Sequence, residues 1–300
     1  MASDILSKIK SVCADTLKDE PMKFHTTFKI GGPADYFCRP CDAGELSGLI
    51  RLLKEEDIPY IITGNGSNML VSDKGIEGAV ISISNKFNRI DTDGETVCAG
   101  AGALLGTISK TALSNGLSGL EFASGIPGTL GGAVYMNAGA YGGEMKDVVK
   151  SVSFMDTDGI IGNISGEELC FGYRKSYFTD KNLIILSCEM KLKKGVREEI
   201  AAKMSELSKR RSSKQPLDMP SAGSVFKRPQ GYFAGTLIEQ AGLKGFSIGG
   251  AEVSSKHAGF IINKKDAKAS DVTALIEHII NTVEEKFSVR LEPEIRLIGR

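Results

Sequence analysis

Neither sign of charge is in excess: 37 lysines and arginines face 37 aspartates and glutamates. A chain whose main partner is nucleic acid carries a basic surplus, so that class is set aside. No stretch approaches the roughly eighteen consecutive apolar residues of a membrane helix, and the opening MASDILSKIK lacks the apolar run of a leader. No membrane insertion and a cytoplasmic setting are therefore expected. Histidine is nearly missing; His25, His257 and His278 lie too far apart to suggest a metal centre, and no metal is expected. Six cysteines spread from Cys13 to Cys188 read as reduced thiols rather than a disulfide framework. Cys38-Arg-Pro-Cys41 has the spacing of a redox pair, but its surroundings are not thioredoxin-like and no second pair completes a zinc site. Repeats and low-complexity segments are absent too. With 41% hydrophobic and 25% charged residues, the composition is that of an ordinary globular protein.

What is present in quantity is glycine. The stretch SGIPGTLGGAVYMNAGAYGG, Ser124 to Gly143, is rich in it and carries no charged residue. An earlier cluster, GNGSN (Gly64 to Asn68), directly follows the strand-like PYIIT. Neither is a P-loop, because no Gly-Lys-Ser/Thr ends it. The Rossmann pattern fails as well: Met69 stands where the third glycine belongs, and in GAGALLG (Gly100 to Gly106) that glycine comes one residue late. The two stretches read better as halves of one cradle, whose backbone N–H groups hold an anion with no Cβ to keep it away. Ser67, Ser124 and Thr129 would add hydroxyls, and Ile126, Pro127, Val134 and Met136 would suit a flat aromatic ring. On this reading the charge sits on the ligand. The competing reading is a set of tight turns packed under a sheet.

Length favours two or three subdomains. A strand from Ala34, a helix from about Ala43 to Glu56 with Leu46, Leu49, Ile50 and Leu53 on one face, and strands PYIITG and GAVISIS make a first module, residues 1–87. The second, 88–195, holds the strand ETVCAGAG, a helix Leu104 to Asn115 ended by Gly116, a hairpin turning at Asp158-Gly159, and the strand NLIILSCEM. The third, 196–300, opens with a helix bearing Ile200, Met204 and Leu207. It continues with an amphipathic helix after Ser270/Asp271, striped by Val272, Leu275, Ile276, Ile279, Ile280, Val283 and Phe287, and ends in the strand RLEPEIRLIGR. The order of elements indicates an α+β fold.

The segments HTTFKIGGPADYF, GNGSNMLV, GLEFASGIPGTLGGAVYMNAGAYGGE, FGYRKS, RSSKQP, SAGSVFKRP and LEPEIRLIG occur in this order. Together they closely resemble the UDP-N-acetylenolpyruvoylglucosamine reductase family, from about residue 20 to the end. The resemblance implies a two-module FAD-binding domain of the vanillyl-alcohol-oxidase type and a C-terminal α+β substrate-binding domain. It also implies FAD, NADPH as co-substrate and UDP-N-acetylglucosamine enolpyruvate as acceptor, in a protein expected to be a monomer. The FAD-binding positions it implies are Gly64, Asn65, Gly66, Ser67 and Asn68; Ser124, Gly125, Ile126, Pro127, Gly128, Thr129, Gly131, Gly132 and Ala133; Asn137, Ala138, Gly139, Ala140 and Tyr173. No histidine lies between Glu55 and Ser151, so a non-covalent flavin is expected. Only 50 positions separate Arg174 from Ser224, which is similar to the family's shorter form, without an inserted tyrosine loop.

Three residues match the family's catalytic positions. Arg174 would stabilise negative charge developing on the enolpyruvyl group, and Glu294 would assist if burial keeps it protonated. Ser224 would deliver a proton to carbon, which requires close placement because serine is a weak acid. The window Lys203 to Arg228 holds seven basic and two acidic residues. Arg211, Lys214, Lys227 and Arg228 from it, with His257, are the expected contacts to the sugar nucleotide. A helix C-terminus favoured by its dipole is the alternative for Lys209 and Arg210. Two rival classes stand beside the reductase: an FAD-dependent oxidase on the same fold, and a binding module with no turnover.

Overall fold

In a computed structural model, which describes residues 2–84 and 86–300, α and β elements are mixed and two buried apolar clusters form. The contacts define two units. The first runs to Lys18 and takes in Tyr36–Asn65 and Gly78–Arg210; the second is Asp19–Asp35, Gly66–Glu77 and Arg211–Arg300. This division is not the linear one expected at 87/88 and 195/196. Phe28, Ile30 and Leu70 are buried with Val225, Ile238, Leu275 and Ile276, so their segments belong with the C-terminal residues.

In the first unit, a helix at Ala43–Glu55 buries Leu46, Leu49, Ile50 and Leu53. Asp42 starts it, accepting from the Glu45 N–H at 2.9 Å, while the Glu45 carboxylate takes the Cys41 N–H at 2.8 Å. Burying each of those leucines contributes about 1.5–3 kcal/mol, which outweighs the weak intrinsic preference of a short helix. A four-stranded sheet has the order Thr16–Pro21, Pro33–Cys38, Ile76–Ser82, Tyr60–Thr63, the last two parallel. A five-stranded antiparallel sheet follows, in the order Ile161–Ser165, Val149–Met155, Ile184–Lys191, Thr96–Gly100, Ile90–Asp93. Its hairpin turns where expected, with Asp156 Oδ1 accepting the N–H groups of Asp158 and Ile160 and Gly159 at φ +78°. The helix Leu105–Ser114 ends at Asn115, and Gly116 takes the left-handed φ of +65°. An N-terminal helix, Ala2–Val12, and the strand at Thr16 were not anticipated.

The second unit holds a four-stranded antiparallel sheet, Ser221–Ser224, Phe260–Asn263, Ala251–Val253, Ser247–Ile248, and the helices Ala234–Gln240 and Ala269–Phe287. The long helix buries Val272, Leu275, Ile276, Ile279 and Val283; Ile280 and Phe287 are only half-buried. It starts two residues earlier than its sequence suggests. Asp271 lies inside the first turn and accepts from Lys268 N, and the cap comes from Asp73, whose carboxylate takes the N–H groups of Ala269 and Ser270. The terminal strand is the short Arg296–Ile298, paired in parallel with Met69–Val71.

Candidate active site

The two glycine stretches meet in the first unit through Gly64 and Asn65. Asn65 Nδ2 donates to the Pro127 carbonyl at 2.6 Å. A Cβ on Gly64 would fall 2.1 Å from Thr129 Oγ1, so only glycine allows this approach. Within the longer stretch a short helix, Leu130–Tyr135, begins after Thr129. Its first two N–H groups are taken by the carbonyls of Ala103 and Ala101, each at 2.8 Å. Among the described residues, the N–H groups of Gly125, Gly128, Thr129 and Gly132 have no hydrogen-bond partner in the protein. Small residues with amides left open on one side form a surface suited to a phosphate group. The donor set therefore fits the phosphate part of a nucleotide cofactor.

Some expected contacts are otherwise engaged. Val134 is fully buried in the core and offers no face to a ring. The Ser124 hydroxyl donates to the Glu121 carbonyl at 2.9 Å. Asn137, 1% exposed, uses its whole side chain within the protein. Its Nδ2 donates to Glu144 Oε2 and to the Gly172 carbonyl, both at 2.9 Å, and its Oδ1 accepts from Lys146 N at 2.9 Å. Ala133 and Ala138 are buried, and Gly139 with Ala140 pairs with Gly143 and Glu144.

Arg174 stands on a tight turn. Gly172 and Lys175 exchange backbone hydrogen bonds of 2.9 and 3.2 Å, leaving Tyr173 and Arg174 at the tip. Arg174 adopts φ +53°, a conformation that costs a non-glycine residue about 1–2 kcal/mol. Such strain collects at functional sites. Its guanidinium lies 5.5 Å from the ring centroid of Tyr173, which is exposed. Glu144 is held below the usual carboxylate range, first by the Lys146 ammonium bonded to it, with Asn137 and the Arg174 charge acting the same way.

The rest of the GNGSN loop lies in the second unit. Gly66 sits at φ +58° with His25 O where a Cβ would be, 2.2 Å away. Asn68 Nδ2 donates to the Glu294 carbonyl at 3.2 Å, and Asn68 O accepts from Arg296 N at 3.0 Å. Ser224 is aimed by a bulge. Ser221 opposes Ile262 while Ser224 opposes Phe260, so the serine strand carries one extra residue, with Gly223 at φ +79°. The extra residue breaks the alternation: Ala222 and Val225 are buried, and Ser224 is exposed. Glu294 N then donates to Val225 O at 2.7 Å, which places the glutamate one peptide from Ser224 across the ladder. Glu294 is half-buried.

The basic candidates separate. Lys227 is ion-paired with Glu292, and Arg211 Nε donates to Gln215 at 2.8 Å. Arg228 lies 4.0 Å over the Phe233 ring, exposed, and Lys214 is exposed at the end of its helix. His257 Nδ1 accepts from Gly259 N at 3.1 Å, and the ring packs edge-on to Phe260. Burial holds this imidazole below its ordinary value, with Lys244 and Lys214 acting in the same direction. His278 is half-buried and stacked on Phe246, 4.4 Å between centroids.

Comparison with known proteins decides the family. The model of the UDP-N-acetylenolpyruvoylglucosamine reductase C-terminal domain matches residues 215–298, and that of an FAD-binding domain matches 34–165. A UDP-N-acetylenolpyruvoylglucosamine reductase of Caldanaerobacter subterraneus subsp. tengcongensis is 53% identical over 100% of this chain and 99% of its own. The chain belongs to the UDP-N-acetylenolpyruvoylglucosamine reductase family. A second relative of that name, from Clostridioides difficile, is 50% identical over 99% of this chain and 96% of its own. The solved reductase of Thermus caldophilus superposes with a TM-score of 0.81 at 37% identity, covering 95% of this chain and 98% of that one. A Phl p 4 variant described as a glucose oxidase shares the fold alone, with a TM-score of 0.52 at 14% identity over 75% of this chain and 53% of that one. FAD is thus the family's cofactor on an α+β flavoprotein fold, as the resemblance implied.

Sequence reasoning missed three things in this family member's site. The Asn65–Pro127 bond, the Asn137–Gly172 bond and the pairing of Met69–Val71 with Arg296–Ile298 all join residues far apart in the chain. The one available signal was the Asn at the glycine-rich positions, a residue that tolerates φ above zero; Asn137 lies at +45°. The thiols are poorly suited to redox work. Burial pushes Cys38 up to about 12, and a bond to Glu45 raises the exposed Cys41 to about 11. All six cysteines are free.

Proposed function

We infer that this protein is an NADPH-dependent flavoenzyme that reduces the enolpyruvyl group of UDP-N-acetylglucosamine enolpyruvate to give UDP-N-acetylmuramate, a step of peptidoglycan precursor synthesis. One observation carries the reading: relatives of that activity's name match at 50–53% identity from end to end. When bound, FAD supplies the hydride that passes from NADPH to the enolpyruvyl double bond. The amides of Gly125, Gly128, Thr129 and Gly132, with Gly64 and Asn65, would hold its pyrophosphate. The remaining chemistry falls to this chain's side chains. The Arg174 guanidinium stabilises charge on the enolpyruvyl carboxylate and ether carbon. The bulge at Gly223 presents the Ser224 hydroxyl as proton donor to that carbon, and Glu294 assists the same charge. Lys214, Arg228 and His257 serve the nucleotide diphosphate, with Arg211 and Lys227 held by neighbours in supporting places. The segments Tyr36–Asn65 and Gly78–Arg210 take the flavin, and Arg211–Arg300 takes the sugar nucleotide.

The proposed enzyme is cytoplasmic and monomeric, and its product supports cell-wall growth, cell shape and division; among the described residues no helix is long and apolar enough to cross a membrane. The test is anaerobic mixing of the purified yellow protein with NADPH and then with the enolpyruvyl sugar nucleotide. Bleaching by NADPH and return of colour on adding acceptor are expected. Bleaching with no return, and rapid recovery only in air, would make the protein an oxidase or a binding module instead.

A further inference from the structure

We propose that Asn137 is a positioning residue for Arg174, acting through the turn that carries it rather than through the flavin. This rests on the catalytic role given to Arg174 above. The turn Gly172–Lys175 is closed by two backbone hydrogen bonds between its ends, and its arginine sits in the left-handed region. A turn so small, with an unfavourable φ at the working residue, keeps its shape only if something outside it does the holding. Asn137 supplies that hold. Its Nδ2 reaches the Gly172 carbonyl at 2.9 Å, filling the lone pair that the Lys175 N–H leaves.

The amide is itself locked. One N–H goes to Gly172 O and the other to Glu144 Oε2, while Oδ1 faces the Lys146 N–H. Exchanging its oxygen and nitrogen would set carbonyl against carbonyl and N–H against N–H, so the network allows one orientation. Glu144 is anchored by the Lys146 ammonium at 2.9 Å, and its own N–H is capped by Asp147 at 2.8 Å. The backbone of Asn137 is part of the same device, since its φ of +45° suits asparagine or aspartate and few others. The arrangement runs from the glycine-rich stretch, through one buried amide, to the peptide that precedes Tyr173 and Arg174. A polar side chain 1% exposed has no surface to offer a ligand.

Asn137→Asp is the variant of choice, because it preserves volume and backbone conformation but turns two donors into acceptors. A carboxylate there would face Glu144 Oε2 and Gly172 O, and the turn would be released. The expected result is a fall of roughly tenfold to a hundredfold in flavin reoxidation by the enolpyruvyl acceptor, the scale that follows a small misplacement of a working group. FAD content and the rate of flavin reduction by NADPH should stay within twofold of the unmodified protein, a ratio read directly from the two half-reactions. Sugar-nucleotide binding to the oxidised protein, followed by calorimetry, and thermal melting of the apoprotein give readouts apart from turnover. In an Arg174→Ala background, Asn137→Asp should cost nothing further in reoxidation. Full additivity of the two changes would overturn the proposal, as would an unchanged reoxidation rate in Asn137→Asp or a loss of bound FAD. Normal reoxidation in Arg174→Ala alone would instead remove the role of Arg174 on which it rests. If Asn137→Asp fails to fold, Asn137→Ser, which keeps one donor, must show the same selective loss for the proposal to stand.

Discussion

Gly132→Ala separates the ligand-binding reading of the glycine stretch from the packed-turn reading. A Cβ at Gly132 would find Thr129 Oγ1 at 3.7 Å and nothing nearer, so the methyl fits the protein without displacing an atom. Its φ is not in the left-handed region, and alanine inside a helix is about 0.5–1 kcal/mol better than glycine. The apoprotein should therefore melt about 1–4 °C higher, given roughly 2–4 °C per kcal/mol for large domains. The flavin complex should move the other way. If the Gly132 N–H contacts a phosphate oxygen, the methyl intrudes on that approach and weakens FAD at least tenfold, or about 1.4 kcal/mol. Titration of apoprotein with FAD, with melts at zero and saturating FAD, gives both quantities. Flavin affinity within twofold of the unmodified protein would refute the placement of this amide at the ligand. Gly131→Val is the poorer probe. Its Cβ lies 3.0 Å from Ala101 Cβ, so flavin would be lost through packing and the apoprotein would also melt lower.

Ser224→Ala should leave FAD content and reduction by NADPH intact while slowing reoxidation by acceptor by roughly 10²–10⁴-fold; near-normal reoxidation in rapid anaerobic mixing would remove Ser224 from proton delivery. Asp73→Ala should destabilise the fold by about 0.5–2 kcal/mol, the usual effect of removing a helix cap, measured by denaturant unfolding. Burial raises the Asp73 carboxyl, but hydrogen bonds from Ser270 and Ala269 outweigh it and hold the group below its ordinary value. The cap's contribution is thus present above the usual carboxylate pKa of about 3.9 and lost as pH falls through the lower folded value, so the variant and the unmodified protein should converge in acid. Changing Cys38 and Cys41 together to serine should leave both half-reactions unaltered, since neither thiol ionises readily; loss of turnover with flavin still bound would reopen the redox-pair reading.

Local pattern determined the elements whose reasons are local. The helix from Ala43 follows from an apolar stripe behind Asp42, the hairpin at Asp158-Gly159 from its turn residues, and the long C-terminal helix from a stripe at 3, 4 and 7 spacing. The glycine cradle and the three candidate catalytic residues were legible as motifs, because each motif is continuous in the chain. Their geometry was not. Nothing local marks the extra residue at Gly223 that turns Ser224 outward, since a bulge exists only relative to a partner strand. The parallel pairing of Met69 with Arg296 spans most of the chain and leaves no periodic trace. Helix initiation at Ala269 was misread by two residues because the cap, Asp73, comes from a distant loop. Likewise Val134 looks like a ring contact by its apolar type, and Asn137 like a flavin contact by its company. Only the tertiary structure reveals that one is core and that the amide of the other donates to the Gly172 carbonyl. Residue type and spacing decide which groups a site can have; long-range backbone and amide hydrogen bonds decide where those groups point.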